Sequence, residues 1–197
     1  MTALSSIVGE FRDFFLGTFG AQGQLRTLGA LVSLPGARTQ QIHADMDWVG
    51  DTLFCYGLVA LQDVSLEMGP TVLFAGTHSR SFHELRRDYD LEAGPSGVGG
   101  TVGGTSACVA AVDPIDAQPP SPMLLDAGDM VVFDTRTFHH GTENASEQSR
   151  MLLSFSFLAT GSNPRNVPAY FSFLATPDIA EGQLVVGDFT RGKQATP

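Results

Sequence analysis

The sequence predicts a mainly β domain, a sandwich or barrel of short strands with one helix packed outside it. Two observations support this fold class: short runs of strand-forming residues alternate with turn residues, and a helical pattern is confined to the N-terminus. The chain has 197 residues, of which 43% are hydrophobic and 16% are charged. Domains usually span roughly 100–200 residues. We therefore expect residues 1–197 to form a single domain.

The N-terminal segment from Leu4 to Phe19 has the spacing of a helix with one apolar face. Apolar residues that recur at intervals of three and four lie on one side of a helix. The residues with this spacing are Leu4, Ile7, Val8, Phe11, Phe14 and Phe15. We expect this helix to pack its apolar face on a sheet.

Most of the chain after Pro35 and Gly36 has the pattern of short strands. Each predicted strand is bounded by Gly, Pro, Asp or Asn, which favour turns over extended structure. The predicted strands are Gln40–Asp45, Leu53–Asp63, Thr71–Ala75, Met123–Asp134 and Arg150–Leu158. Several short strands separated by turns are typical of an all-β sandwich or barrel.

The segment Gly94–Pro122 differs from the rest of the chain. It is rich in Gly, Pro, Ser and Ala, carries almost no charge and shows neither strand nor helix periodicity. Irregular segments of this length in compact domains are usually functional loops or linkers. We expect a mobile loop beside the active site.

The net charge and the hydropathy of the chain indicate which kinds of molecule the protein can bind. The formal net charge of -10 disfavours nucleic acid, whose phosphates require a basic surface, and favours a small, neutral or cationic substrate. No apolar run approaches the roughly 18 to 20 residues of a membrane span, and no secretory signal is evident. Cys55 and Cys108 lie in no metal-binding or redox motif, so we expect free thiols. These features predict a cytoplasmic protein without membrane contact.

The first candidate metal ligands are His43 and Asp45. Successive strand side chains point to opposite sides, so these two residues share one face of the predicted strand. An imidazole and a carboxylate on one face, completed by a distant second histidine, form the triad of non-haem iron(II) oxygenases. Such an HxD triplet is common by chance, so the rest of the sequence decides its interpretation.

The candidate second histidine follows the apolar strand Met130–Phe133. His139 and His140 are adjacent there, and the spacing leaves both open as the ligand. Arg150 follows in a segment with one polar and one apolar face. The planar guanidinium donates two parallel, charge-assisted hydrogen bonds to a carboxylate such as that of 2-oxoglutarate. A buried arginine needs an anionic partner, so Arg150 is a candidate cosubstrate ligand.

Four motifs occur in a characteristic order. They are QxHxD at Gln41–Asp45, GPTxxxxGTH at Gly69–His78, AGD at Ala127–Asp129, and the segment His139–Arg150 with Gly141, Asn144 and Ser146. Together they resemble the phytanoyl-CoA dioxygenase-like family of iron(II)- and 2-oxoglutarate-dependent oxygenases, over about residues 41–158.

The resemblance implies a double-stranded β-helix, which is a jelly-roll and cupin-like fold. It implies that iron(II) is held by His43, Asp45 and His139, and that 2-oxoglutarate is bound by Arg150, Gln41 and Thr71. The activity it implies is that of a dioxygenase. This enzyme would hydroxylate or otherwise oxidise a small-molecule substrate and release succinate and carbon dioxide.

The resemblance also bears on assembly. The region before His43 is shorter than in most members of the family, so walls of the substrate pocket would come from another subunit or from the Gly-rich loop. A homodimer is therefore expected, because symmetric dimers are the commonest soluble oligomers.

Two other functions stay open at this point. The first is a cupin-like metal-binding protein without oxygenase turnover, since barrel folds carry many unrelated functions. The second is a metal-dependent oxygenase or isomerase that does not use 2-oxoglutarate. In the second case Arg150 would have no cosubstrate to bind.

Overall fold

The computed structural model describes residues 2–93, 113–168 and 184–190. Two helices come first, followed by strands with two further helices among and after them. The elements are α1 (Thr2–Glu10), α2 (Arg12–Phe19), β1 (Gln24–Ser33), β2 (Phe54–Ala60), β3 (Thr71–Phe74), α3 (Arg80–Ala93), β4 (Pro120–Pro122), β5 (Met130–Asp134), β6 (His139–Gly141), β7 (Arg150–Leu158) and α4 (Val186–Thr190).

The strands form two antiparallel sheets. The larger has the order β1-β7-β2-β5 and the smaller has the order β4-β3-β6. Residues of both sheets line one cavity, among them Tyr56 and Leu58 from the larger sheet and Thr71 from the smaller. Two antiparallel sheets that enclose a shared interior form a jelly roll. The predicted mainly β, double-stranded β-helix fold is confirmed.

Strand β7 lies at the centre of the larger sheet and separates two environments. It pairs with β1 on one side and with β2 on the other. Phe155 and Phe157 point to the outer core, whereas Arg150 and Leu152 point to the interior between the sheets. This alternation follows from the two-residue period of a strand, and it agrees with the predicted polar and apolar faces.

The N-terminal helices cover the outer face of the larger sheet, as predicted. Their innermost residues, Leu4, Val8 and Phe15, are fully buried. The Phe15 ring lies 5.6 Å from that of Phe157, measured between centroids. The predicted single helix is interrupted between α1 and α2, and Phe11 and Phe14 remain 46% and 45% exposed. Among the described helices, none is long and apolar enough to cross a membrane.

Two predicted strands differ from those in the structure. Gln40–Asp45 forms no regular strand, since only His43 makes an isolated bridge, to His139. In the predicted strand Met123–Asp134, regular pairing to β2 involves only Met130–Asp134. The remaining predicted strands correspond to β2, β3 and β7, and β7 has the predicted bounds.

Other elements were not predicted from the sequence. Strand β1 precedes the first predicted strand, and α3 is mostly polar with ion pairs of i,i+4 spacing at Arg80–Glu84 and Arg86–Asp90. Within the predicted loop Gly94–Pro122, residues 113–122 contain a 3₁₀ helix at Pro114–Ala117 and strand β4, so this part is not irregular. Residues 94–112, and Cys108 with them, lie outside the described residues.

Candidate metal centre

Side chains from two distant parts of the sequence meet at one point. Nε2 of His43 lies 3.7 Å from Oδ1 of Asp45, and Nε2 of His139 lies 3.7 Å from Oδ2 of Asp45. The candidate ligand atoms of the three residues all lie within 4.8 Å of one another. The structure therefore brings together the three residues that the sequence predicts as metal ligands.

Main-chain pairing places the two histidines side by side. His139 lies in β6, and its backbone exchanges two hydrogen bonds with that of His43. Thr71 and Leu73 of β3 pair with the other edge of β6. His43 is thus held by an isolated bridge, with further backbone hydrogen bonds at Gln40 and Met46, rather than by a regular strand.

Hydrogen bonds to carbonyl groups determine which nitrogen of each imidazole faces the site. Nδ1 of His43 lies 2.8 Å from the carbonyl oxygen of Gln41, and Nδ1 of His139 lies 2.9 Å from that of Thr137. A carbonyl oxygen can only accept, so both Nδ1 atoms donate. In the neutral ring Nε2 then carries the lone pair, which is the arrangement that metal-binding histidines use.

The electrostatics of the cluster favour a bound cation. Burial raises the pKa of Asp45, although the neighbouring His139 and His43 act in the opposite direction. Burial also lowers the pKa of His139, which keeps its imidazole neutral. A cation between these side chains would stabilise the carboxylate and would require neutral imidazoles.

Strand geometry separates His140 from this cluster. The side chains of His139 and His140 point to opposite sides of β6, because successive strand residues alternate. The ring of His140 is stacked on Phe74 with a centroid distance of 6.0 Å. The histidine close to Asp45 is therefore His139, and His140 packs away from it.

Arg150 lies in the interior at the first position of β7. Its side chain is almost fully buried, and its Nη1 donates to the carbonyl oxygen of Gly69. Its Nε has no hydrogen-bond partner among the described residues. Burial lowers the pKa of the guanidinium from its ordinary value. A buried cation with an unpartnered donor is costly unless a ligand pairs with it.

A close backbone approach explains the glycine beside Arg150. Gly69 has φ +70°, and a Cβ added to it would lie 2.4 Å from the carbonyl oxygen of Thr142. Only glycine accommodates this conformation and this contact without strain. The carbonyl of Gly69 is thereby positioned to accept from Arg150.

The cluster and Arg150 line one cavity with a volume of about 350 Å³. The wall is formed by both sheets and by the segment that follows β1. The lining residues are Leu31, Val32, Ser33, Ala37, Arg38, Gln40, His43, Asp45, Tyr56, Leu58, Thr71, Phe133, His139, Gly141, Thr142 and Arg150. Thr71 is thus brought to the same cavity as Arg150.

Gln41 is not brought to this cavity. Its side chain is exposed, and the neighbouring Gln40 lines the cavity instead. Oε1 of Gln40 accepts a hydrogen bond of 2.7 Å from the backbone N–H of Gly141. The family resemblance implied the role of Gln41, and residues 40–45 do not form the regular strand predicted for them. The QxHxD motif selected Gln41, whereas the glutamine that lines the cavity is its neighbour Gln40.

The fold and the site define a class: a jelly-roll protein with a candidate metal centre of two imidazoles and one carboxylate beside a buried arginine. Residues 20–152, more than half of the chain, match the phytanoyl-CoA dioxygenase (PhyH) family, so the chain belongs to this family. The resemblance inferred from the four motifs is confirmed. No curated protein matches the sequence.

Solved structures share the fold at low sequence identity. The epimerase SnoN from nogalamycin biosynthesis, described as non-heme and alpha-ketoglutarate-dependent, is 18% identical, with 90% of this chain and 63% of that chain covered and a TM-score of 0.57. EvdMO1 is 21% identical, with 79% and 31% covered and a TM-score of 0.54. HygX from Streptomyces hygroscopicus, solved with iron bound, is 16% identical, with 81% and 68% covered and a TM-score of 0.51. The chain thus spans less than two thirds of the length of SnoN and of EvdMO1.

Proposed function

We propose that the chain is a non-haem iron(II)- and 2-oxoglutarate-dependent dioxygenase that oxidises a small-molecule substrate with release of succinate and carbon dioxide. The observation that carries the proposal is that one cavity contains both the His43–Asp45–His139 cluster and the buried Arg150. Membership of the PhyH family supports this class of chemistry. SnoN, which has the same fold, was solved with Fe3+ and alpha ketoglutarate.

The three side chains fit an iron(II) ion. Two neutral imidazoles and one carboxylate form the ligand set of non-haem iron oxygenases, and it leaves coordination positions open. The carbonyl groups of Gln41 and Thr137 orient both Nε2 atoms toward Asp45. When bound, the iron with its cosubstrate supplies the oxidising chemistry, while the protein binds and orients the substrate.

Arg150 fits the distal carboxylate of 2-oxoglutarate. Its Nη1 is engaged by Gly69, and its Nε is buried without a partner among the described residues, so the guanidinium has donors left to pair with an anion. The hydroxyl of Thr71 is a second candidate contact, because Thr71 is buried and lines the same cavity. We propose that Arg150 and Thr71 bind the cosubstrate. We also propose that Gln40, rather than Gln41, is the glutamine that contacts it.

Phe133 and Tyr56 support the cluster from the larger sheet. The ring of Phe133 lies 5.0 Å from the His139 ring between centroids, at an interplanar angle of 60°. This contact restricts rotation of the imidazole. Burial raises the pKa of Tyr56, a hydrogen bond with Ser154 acts in the opposite direction, and the nearby Asp45 raises it further. Tyr56 therefore lines the cavity as a neutral phenol.

Anaerobic titration tests the proposal. Iron(II) is added to the metal-free protein and 2-oxoglutarate is then added, while the charge-transfer absorption of the ternary complex is followed. We expect one equivalent of each ligand to bind. Iron binding without this absorption would favour the cupin-like metal-binding protein or an oxygenase or isomerase that does not use 2-oxoglutarate.

We also propose that residues 1–197 form a single domain. One hydrophobic cluster contains Leu4 of α1, Phe157 of β7, and Val186 and Phe189 of α4. The described segments from both ends of the chain thus share one core. Limited proteolysis tests this proposal, because a single domain should yield one stable fragment that contains both ends.

A homodimer and a cytoplasmic location remain predictions. The innermost residues of α1 and α2 are buried within the chain, so they do not require a partner subunit. Exposed apolar residues, among them Phe11, Phe14 and Val32, support association. Light scattering over a wide concentration range tests for the dimer, and cell fractionation tests the location.

A further inference from the structure

A second arginine lies at the cavity, outside the proposed cosubstrate site. Arg38 lines the same cavity as the His43–Asp45–His139 cluster, but its side chain is exposed rather than buried. It therefore lies toward the open side, whereas Arg150 lies in the interior.

The backbone on both sides of Arg38 is anchored to β6 and to the segment that follows it. The N–H of Gly36 donates to the carbonyl of Asn144 at 2.8 Å, and the N–H of Asn144 donates to the carbonyl of Ala37 at 3.0 Å. The N–H of Gln40 donates to the carbonyl of Gly141 at 2.9 Å. These bonds fix the origin of the Arg38 side chain relative to the candidate metal centre.

The guanidinium of Arg38 has no ion pair or hydrogen bond with any described residue. Among the described residues that line the cavity, the other formally charged side chains are Arg150 and Asp45. The negative charge of Asp45 balances the positive charge of Arg150. In the loaded site the two negative charges of 2-oxoglutarate would balance the two positive charges of the metal ion. Arg38 is then the uncompensated charge of the loaded site, and it is positive although the whole chain carries -10.

Part of the cavity wall is apolar, beside polar side chains such as Ser33, Gln40 and Thr142. Leu31 and Val32 of β1 line the cavity and are 39% and 50% exposed. Leu58 and Phe133 form the deeper part of the wall. A ligand that fits this surface has an apolar body, which contacts these side chains, and an anionic group, which pairs with the guanidinium.

We propose that Arg38 is a specificity-determining residue that binds an anionic group of an otherwise apolar substrate. This inference rests on the proposed function for the identity of the reaction, but not for the binding itself. It differs from the neutral or cationic substrate that the net charge favours, because a ligand in the cavity interacts mainly with the nearest charges. Charges more than about 8–10 Å away are largely screened at ordinary salt.

Three probes of matched shape test the proposal: 3-phenylpropanoate, its neutral amide and the corresponding amine. Their affinities are measured by calorimetry at low salt for the wild type, Arg38→Gln, Arg38→Lys and the control Arg12→Gln. Arg12 is an exposed arginine of α2 and does not line the cavity. Each protein is used metal-free and also loaded with zinc and 2-oxoglutarate, and thermal unfolding confirms that each variant is folded.

We expect the wild type to bind the acid about three- to tenfold more tightly than the amide, as for a partly exposed charge-assisted pair. Arg38→Gln should abolish this preference, Arg38→Lys should keep part of it, and Arg12→Gln should match the wild type. Equal binding of acid and amide by the wild type would overturn the proposal. So would an Arg38→Gln variant that loses 2-oxoglutarate affinity but keeps the preference for the acid.

The experiment distinguishes failure of the proposed dioxygenase function from failure of the proposed role of Arg38. If the wild type bound neither metal nor 2-oxoglutarate, the proposed dioxygenase function would be wrong. The comparison of acid with amide on the metal-free protein would still decide the role of Arg38.

Discussion

The main chains of His43 and His139 pair directly with each other. Each backbone N–H donates to the carbonyl of the other residue, with N···O distances of 3.0 and 2.8 Å, and the two rings lie 4.5 Å apart between centroids. The bridge is made by the backbone, so it does not depend on the imidazoles. Replacing either side chain should therefore remove a ligand and leave the fold in place.

The first prediction concerns the three proposed ligands. His43→Ala, Asp45→Ala and His139→Ala should each weaken iron(II) binding by at least about 100-fold and abolish turnover, because a lost ligand costs more than a lost outer-shell partner. His140→Ala is the matched control and should bind iron like the wild type. Anaerobic metal titration measures the affinities. A normal His139→Ala beside a defective His140→Ala would show that the ligand is misassigned.

The second prediction concerns Arg150. Arg150→Ala should weaken 2-oxoglutarate binding by about 2–4 kcal/mol, roughly 30- to 1000-fold, because a charge-assisted pair in a buried pocket is lost. Arg150→Lys keeps the charge but loses the planar fork, so it should also bind more weakly than the wild type. The charge-transfer titration measures the affinities, and iron binding in the same variants is the control. Equal 2-oxoglutarate affinities in all three proteins would exclude Arg150 as the cosubstrate ligand.

The third prediction concerns the packing between Gly57 of β2 and Phe155 of β7. A Cβ added at Gly57 of β2 would lie 2.3 Å from Cζ of Phe155, whose ring is buried against Phe15. Gly57→Ala should lower the free energy of unfolding by about 1–3 kcal/mol, the usual cost of overpacking. Gly29→Ala is the control, since its Cβ would meet only Oγ of Ser154, at 3.7 Å. Denaturant unfolding compares the two, and equal stabilities would contradict the packing described here.

The fourth prediction concerns the N-terminal helices. Phe15 is fully buried between α2 and β7, so Phe15→Ala should lower the free energy of unfolding by about 3–5 kcal/mol. Phe14 is 45% exposed, and Phe14→Ala should cost clearly less. Thermal and denaturant unfolding measure both. A similar loss in the two variants would mean that Phe14 is also buried in solution, for example by a second copy of the chain.

Regular elements with clear periodicity were predictable from the sequence. The two-residue alternation in Arg150–Leu158 predicted both the bounds of β7 and its two faces, because burial on opposite sides of a central strand imposes that pattern. The helical spacing in Leu4–Phe19 predicted the outer helices for the same kind of reason. Helix α3 was missed because its surface is mostly polar and its order depends on contacts such as that between Phe82 and Phe138.

By itself, the sequence determined the chemical groups of the site, namely two imidazoles, a carboxylate and a guanidinium, and the order of motifs that places the chain in its family. The motifs selected His139 over His140 and Gln41 over Gln40. Which of these adjacent residues faces the cavity is decided by the tertiary structure. The bridge between His43 and His139 places His139 rather than His140 beside Asp45, and the irregular path of residues 40–45 places Gln40 rather than Gln41 at the cavity. The position of Arg38 likewise gives the cavity a charge opposite to that of the whole chain. The spacing of residues along a strand predicts which face of the sheet a side chain lies on only where regular pairing maintains the alternation. The charge inside a cavity depends on which residues the fold brings together there.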